Sequence, residues 1–224
     1  MQSLLAFSRK VSGVRSLLAA ALMLGSALAI ATPASAQVTP PPTPTVITPQ
    51  DGSTPFLLGK GVGTQGYVCL PTSTGASWTV NGARPEATLF TTVFGLDVEI
   101  ITHFLSPDTS PNQFAPNPLA FGNATWQSSL DSSKVWAQAT GVLPASSDQV
   151  SCPNTGSIPC LLLQVIGAER GPAGGRSLIK TTFIQRLNTN GGTAPATGCS
   201  TATDVGKQAL VPYSADYYFW ALPR

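Results

Sequence analysis

His103 is the only histidine in the chain, and the one side chain whose ordinary pKa lies near neutrality. Any serine–histidine hydrolase chemistry here must use it as the base. Two carboxylates precede it in LDVEIITHF, Asp97 and Glu99. A period of two places Leu96, Val98, Ile100, Thr102 and Phe104 on one strand face. Asp97, Glu99, Ile101 and His103 fall on the other. Residues two apart on a strand are separated by roughly 7 Å, so Asp97 and Glu99 could act as a glycosidase-type acid and base. Glu99 and His103 stand roughly 13 Å apart on a straight strand, too far to share a metal. A bulge or a neighbouring strand must bring His103 its partner. The catalytic candidates are therefore His103, Asp97 and Glu99, which equally make an ordinary polar strand face.

The second chemical cluster lies in LIKTTFIQRL. Strand alternation sends Lys180 and Arg186 to one side, a candidate anion site. Gln185, in the same run, is the third binding candidate. The following NTNGGTAP reads as a turn, because Asn and Gly tolerate positive φ. GVGTQG (Gly61 to Gly66) matches GxGxxG by letter. A dinucleotide fingerprint needs a strand before it and a helix after it, and here a proline-rich arm precedes and a strand pattern follows. SLIK matches SxxK without its partner motifs, and neither GxSxG nor HExxH occurs. No CxxC pair exists to join the single histidine, so no metal and no cofactor are expected. Trp78, Trp126, Trp136 and Trp220 could stack on sugars if exposed, or pack a core. In ADYYFW, Tyr217 and Phe219 share one face, and Tyr218 and Trp220 share the other. If both faces are covered, that segment offers no binding platform.

Cys69, Cys152, Cys160 and Cys199 are the four cysteines. An even count in an exported chain points to disulfides, with three connectivities open. Cys152 and Cys160 bracket CPNTGSIPC, a loop of turn residues that they could close locally. Cys69 and Cys199 would then tie the start of the domain to its end.

The elements that must position these residues are strands. GYVCL, SWTV, EATLF, LDVEIITHF, NATWQ, KVWAQAT, LLLQVIG, LIKTTFIQRL and ADYYFW are about nine short runs rich in β-branched and aromatic residues, separated by Gly, Pro, Asn and Ser. No 12-residue window shows helical apolar spacing. The expected fold is all-β: a single-domain antiparallel β-sandwich or flattened β-barrel. SPDTSPNQFAPNPLAFG, between Ser106 and Gly122, has no strand pattern and is long for a connection.

Residues 1–36 read as a signal peptide: Arg9, Lys10 and Arg15, then the apolar SLLAAALMLGSALAI, then ATPASA with cleavage after Ala36. The apolar run falls short of the about 20 residues of a spanning helix, and no transmembrane segment is expected in the mature chain. The expected location is the periplasm or the exterior. Residues 37–55 form a Pro-rich arm, and 56–224 the all-β domain. Three of the 12 basic residues lie in the leader, leaving 9 against 10 acidic ones, a net charge of −1. From that balance no basic patch and no nucleic-acid partner are expected. A glycan or an envelope component stands as the partner class.

GTQGYVC, PEATLF, THF, IPCLLL, TTFIQRLNTNGGTAPATGC and VPYSADYYF, in this order, resemble the domain-of-unknown-function family 3455. The resemblance runs from about Gly59 to Trp220, and the block from Phe183 to Phe219 is its most specific part. It implies an exported protein and no catalytic residues, since the family has no established activity. Some fungal members carry enzyme-like names such as malate dehydrogenase; without a dinucleotide fingerprint this chain does not support one. Cys160 stands in IPCLLL where the family often has an aromatic residue, which implies an extra disulfide with Cys152. Two functional readings result: a non-catalytic binding or envelope-associated module, and a secreted hydrolase using His103 with a nearby carboxylate.

Overall fold

The computed structural model describes residues 37–106 and 122–223, with the backbone alone at residues 82 and 83. The expected leader, and residues 107–121 of the proline-rich connection, lie outside the described residues. Among the described residues there are eight strands: β1 Thr54–Thr72, β2 Gly75–Val93, β3 Leu96–Ser106, β4 Asn123–Ser128, β5 Lys134–Leu143, β6 Cys160–Glu169, β7 Phe183–Gly191 and β8 Gln208–Ala221. Each pairs antiparallel with its neighbours in the chain, and β8 returns to pair with β1. The sheet therefore closes into an up-and-down barrel and leaves no open edge. Among the described residues no helix is long and apolar enough to cross a membrane.

The nine expected runs become eight strands because SWTV and EATLF belong to one strand, β2. What separates them is an irregularity in register with β1, between Gln65 and Tyr67, and not a turn. LIKTTFIQRL divides the other way. Residues 177–180 are turn, and the strand begins at Phe183.

Two cores follow from the two faces of the barrel. The lumen is filled by residues that include Leu89, Ile101, Trp126, Val135, Leu163, Ile184, Tyr217 and Phe219. The glycines of GVGTQG make room for this filling. A Cβ at Gly61 would stand 2.6 Å from the Tyr217 ring, and one at Gly63 would stand 2.0 Å from the Glu86 carbonyl. The glycine pattern thus serves close packing of β1 against β2 and β8. The second core lies outside the wall, where Leu143, Cys152, Cys160, Leu162, Phe183, Leu187 and Tyr218 pack under Ile47 of the N-terminal arm. The arm passes so close to β5 that a Cβ at Gly141 would sit 1.9 Å from the Val46 carbonyl.

The two ends of the barrel are closed differently. Disulfides Cys69–Cys199 and Cys152–Cys160 pin the loops at one end. At the other, the 170–182 loop between β6 and β7 inserts Leu178, fully buried, into the lumen core. Asp131 fixes that loop. Its Oδ2 accepts from the backbone N–H of Arg176 at 2.7 Å and of Ser177 at 2.8 Å, and from the Ser177 hydroxyl at 2.8 Å. Oδ1 accepts from the Ser133 N–H and hydroxyl. Burial favours the neutral carboxyl, but these donors outweigh it and hold Asp131 well below the usual carboxylate range.

Candidate functional site

The strand that carries the catalytic candidates does not alternate evenly. Leu89 pairs with Ile101 and Phe90 with Glu99, so Ile100 is an extra residue in β3. The bulge changes the face after it. Asp97 and Glu99 point out of the barrel, with Asp97 accepting from Thr92 Oγ1 at 2.8 Å. Glu99 accepts from Thr102 Oγ1 at 3.0 Å and Ser129 Oγ at 2.9 Å. His103 points into the lumen. The structure therefore does not bring His103 together with Asp97 or Glu99. Asp97 instead borders an outer hollow of about 330 Å³ with Lys60, Asn188 and Asp216, which neither Glu99 nor His103 lines.

His103 is 6% exposed. Its Nδ1 lies 2.8 Å from the Thr125 carbonyl, which can only accept, so Nδ1 carries the proton. The ring stacks on Trp126, with centroids 4.0 Å apart and planes 12° from parallel, and meets Tyr217 at 6.1 Å. Burial takes the imidazole down to about 4. The Thr125 bond pulls the other way, and the Arg186 charge adds to the drop. His103 is neutral at pH 7. No serine, aspartate or glutamate among the described residues hydrogen-bonds it. A shallow depression of about 310 Å³ reaches both His103 and Glu86. There the Glu86 carboxylate is already held by Arg84 Nε and Thr64 Oγ1.

Arg186 shares this lumen. Its Nη2 donates to the Pro159 carbonyl at 2.9 Å, and its guanidinium carbon lies 6.0 Å from the Tyr213 ring centre. The Tyr213 and Tyr217 hydroxyls are 2.7 Å apart, and Tyr67 donates to the Gly192 carbonyl at 2.7 Å. Burial, together with the Tyr217 hydroxyl, pushes Tyr213 far above its ordinary value; burial also raises Tyr67, against the pull of Arg186. The cluster is a neutral histidine, Tyr67 and Tyr213 with their hydroxyl pKa values raised, the Tyr217 hydroxyl and one guanidinium. As a set it holds no ionised nucleophile and no carboxylate base.

The three binding candidates go to three different places. Gln185, 1% exposed, faces outward beneath the arm, where its Nε2 donates to the Ile47 carbonyl at 2.6 Å. Arg186 faces the lumen. Lys180 lies in the 170–182 loop, not in a strand, so the alternation that grouped it with Arg186 does not reach it. The tryptophans form no exposed platform: Trp126 and Trp136 are buried, and Trp78 and Trp220 are half-buried. Both faces of ADYYFW are covered, Tyr217 and Phe219 by the lumen and Tyr218 and Trp220 by the outer core.

Lys180 instead meets partners absent from the sequence candidates. Lys60, Arg84, Lys134 and Lys207 each pair with a carboxylate. Arg170, Arg176 and Lys180 pair with none among the described residues, and all three line one hollow of about 450 Å³. Asp131 lies under it, but its oxygens are taken by the five donors above. Beside it is a second, apolar hollow of about 280 Å³, with walls that include Phe56, Leu57, Ile100, Leu130 and Leu178. Ser177 and Lys180 border both, and Lys180 Nζ sits 4.0 Å from the Phe56 ring centre. The signal in sequence was ERGPAGGR, two arginines flanking a turn. Gly171 and Gly175 there approach Asp131 too closely for side chains, a Cβ at Gly171 lying 1.7 Å from the Asp131 carbonyl. No group of three His, Cys, Asp or Glu among the described residues is placed to hold a metal ion.

Compared with known proteins, residues 49–221 match a family described as protein of unknown function (DUF3455). No curated protein and no solved structure matches the chain.

Proposed function

The chain belongs to the DUF3455 family, whose description assigns no activity, and we propose that it is an exported, non-catalytic binding module for an anionic envelope component. The single observation that carries this is the convergence of Arg170, Arg176 and Lys180, without carboxylate partners among the described residues, on one concave end of the barrel. Unpaired cations around a hollow attract an anion, and the attraction is sensitive to salt. Export is supported by the leader pattern of residues 1–36 and by two disulfides, which persist in oxidising compartments. The non-catalytic reading is supported by the buried, neutral His103 and by Asp97 and Glu99, which face away from it.

The test is retention of the secreted protein on immobilised anionic and neutral polysaccharides. Retention is expected on the anionic supports at low salt, with release on adding salt. Arg170→Ala, Arg176→Ala and Lys180→Ala combined should lower retention at least tenfold. These side chains are at the surface, so the variant keeps its fold. Retention that is equal on neutral supports, or unchanged in the triple variant, contradicts the proposal.

A further inference from the structure

We infer that the ligand of this end of the barrel is an anionic amphiphile: an oxyanion head group among Arg170, Arg176 and Lys180, with an alkyl chain in the adjoining apolar hollow. The inference rests on the anion-binding reading and adds the chemistry of the rest of the ligand. Two observations carry it. The hollows are neighbours with a common border at Ser177 and Lys180, so one molecule can enter both. Their linings are also of opposite character, three cations on one side and Phe56, Leu57, Ile100, Leu130 and Leu178 on the other.

Lys180 stands at the junction. Its ammonium lies over the Phe56 ring, which keeps a positive charge at the mouth of an apolar space. A simple inorganic anion would use the cations and leave the apolar hollow unused. A neutral lipid would fill the hollow and leave the three cations without an ion-pair partner. An alkyl chain capped by a phosphate, sulfate or carboxylate satisfies both. The hollows are concave and small, at the lower end of the range for small-molecule sites. They suit one chain, not the surface of a bilayer. Leu178, which walls the apolar side, is held by its N–H donating to Ser133 Oγ at 3.1 Å. The floor of the hollow is thus built by the same Asp131–Ser133 tie that fixes the loop, and the site is preformed.

The experiment is calorimetric titration of the whole secreted chain with hexyl, octyl and decyl phosphate below their micelle-forming concentrations, beside inorganic phosphate and decyl maltoside. Each methylene that enters the hollow should tighten binding about fourfold until the hollow is full. Decyl phosphate should bind at least a hundredfold more tightly than inorganic phosphate, and decyl maltoside should not compete. The triple Arg170, Arg176 and Lys180 to Ala variant should lose the phosphate contribution. Leu130→Trp, a substitution at an exposed rim position, should fill the hollow and flatten the chain-length series. If inorganic phosphate binds as tightly as decyl phosphate and the triple variant abolishes both, the amphiphile inference is wrong and the anion-binding reading stands. If none of the phosphates binds, both are wrong. Binding to phosphatidylglycerol vesicles without binding of monomeric decyl phosphate overturns the single-chain site.

Discussion

At the scale of single residues, His103 is where charge and burial are most at odds. Its pKa in the folded chain, about 4, lies below the ordinary 6.5, so the unfolded chain binds more protons between those values. The contribution of His103 to stability is therefore complete above about pH 6.5 and is lost as pH falls toward 4. That drop corresponds to roughly 3 kcal/mol. Denaturant unfolding of the wild type and of His103→Gln, each at pH 7 and pH 4.5, isolates this share. The wild type should lose about 2 kcal/mol more than the variant over that interval, and equal losses would contradict the buried, neutral histidine. His103 itself was legible in the sequence as the one group able to titrate near neutrality. Its surroundings were not, because Trp126, Tyr217 and Arg186 reach it from β4, β8 and β7, and nothing local to THF reports on them.

At the scale of elements, one extra residue decides the arrangement of β3. Strict alternation puts Asp97, Glu99 and His103 on one face, and the bulge at Ile100 separates them. A bulge has no fixed residue signature in an apolar stretch such as EIIT, so periodicity could not reveal it. The strands themselves were legible from their β-branched and aromatic composition. The alternation of ADYYFW was legible too, and its two faces feed the two cores. The arm is held by a different device. Gln185, in the most recognisable string of the chain, donates to the Ile47 carbonyl, and the buried Ile47 side chain caps the outer core. Gln185→Ala should cost about 1–2 kcal/mol and release the arm, with faster proteolytic cleavage between residues 37 and 50. Unchanged cleavage would show that Ile47 alone suffices. Lys180 marks the opposite failure. Its loop reads as a continuation of the β7 pattern, and only the Asp131 hydrogen bonds, formed across about 45 residues of sequence, turn it into the rim of the barrel.

For the whole molecule, closure is the organising fact. Eight strands in chain order make the β1–β8 pairing the longest-range one, and Cys69–Cys199 crosslinks the same end across 130 residues. In the chain-entropy account, removing that bond costs about 5 kcal/mol, against about 2.5 for the short Cys152–Cys160 loop. Thermal unfolding should rank Cys69→Ala/Cys199→Ala well below Cys152→Ala/Cys160→Ala, and the reverse order would contradict the crosslink's place in the closure. The cysteine spacing was enough to expect both bonds. The position of the proposed binding end was beyond the sequence, since it depends on where the ring of strands places the 170–182 loop relative to β1 and β3. The proposed ligand site is this end of the barrel, and not the His103 lumen. Backbone amide spectra recorded while inorganic phosphate is titrated in test it most directly. Shifts confined to residues 170–182 and their neighbours at Asp131 and Phe56 are predicted, whereas shifts centred on His103, Thr125 and Trp126, or none anywhere, would contradict it.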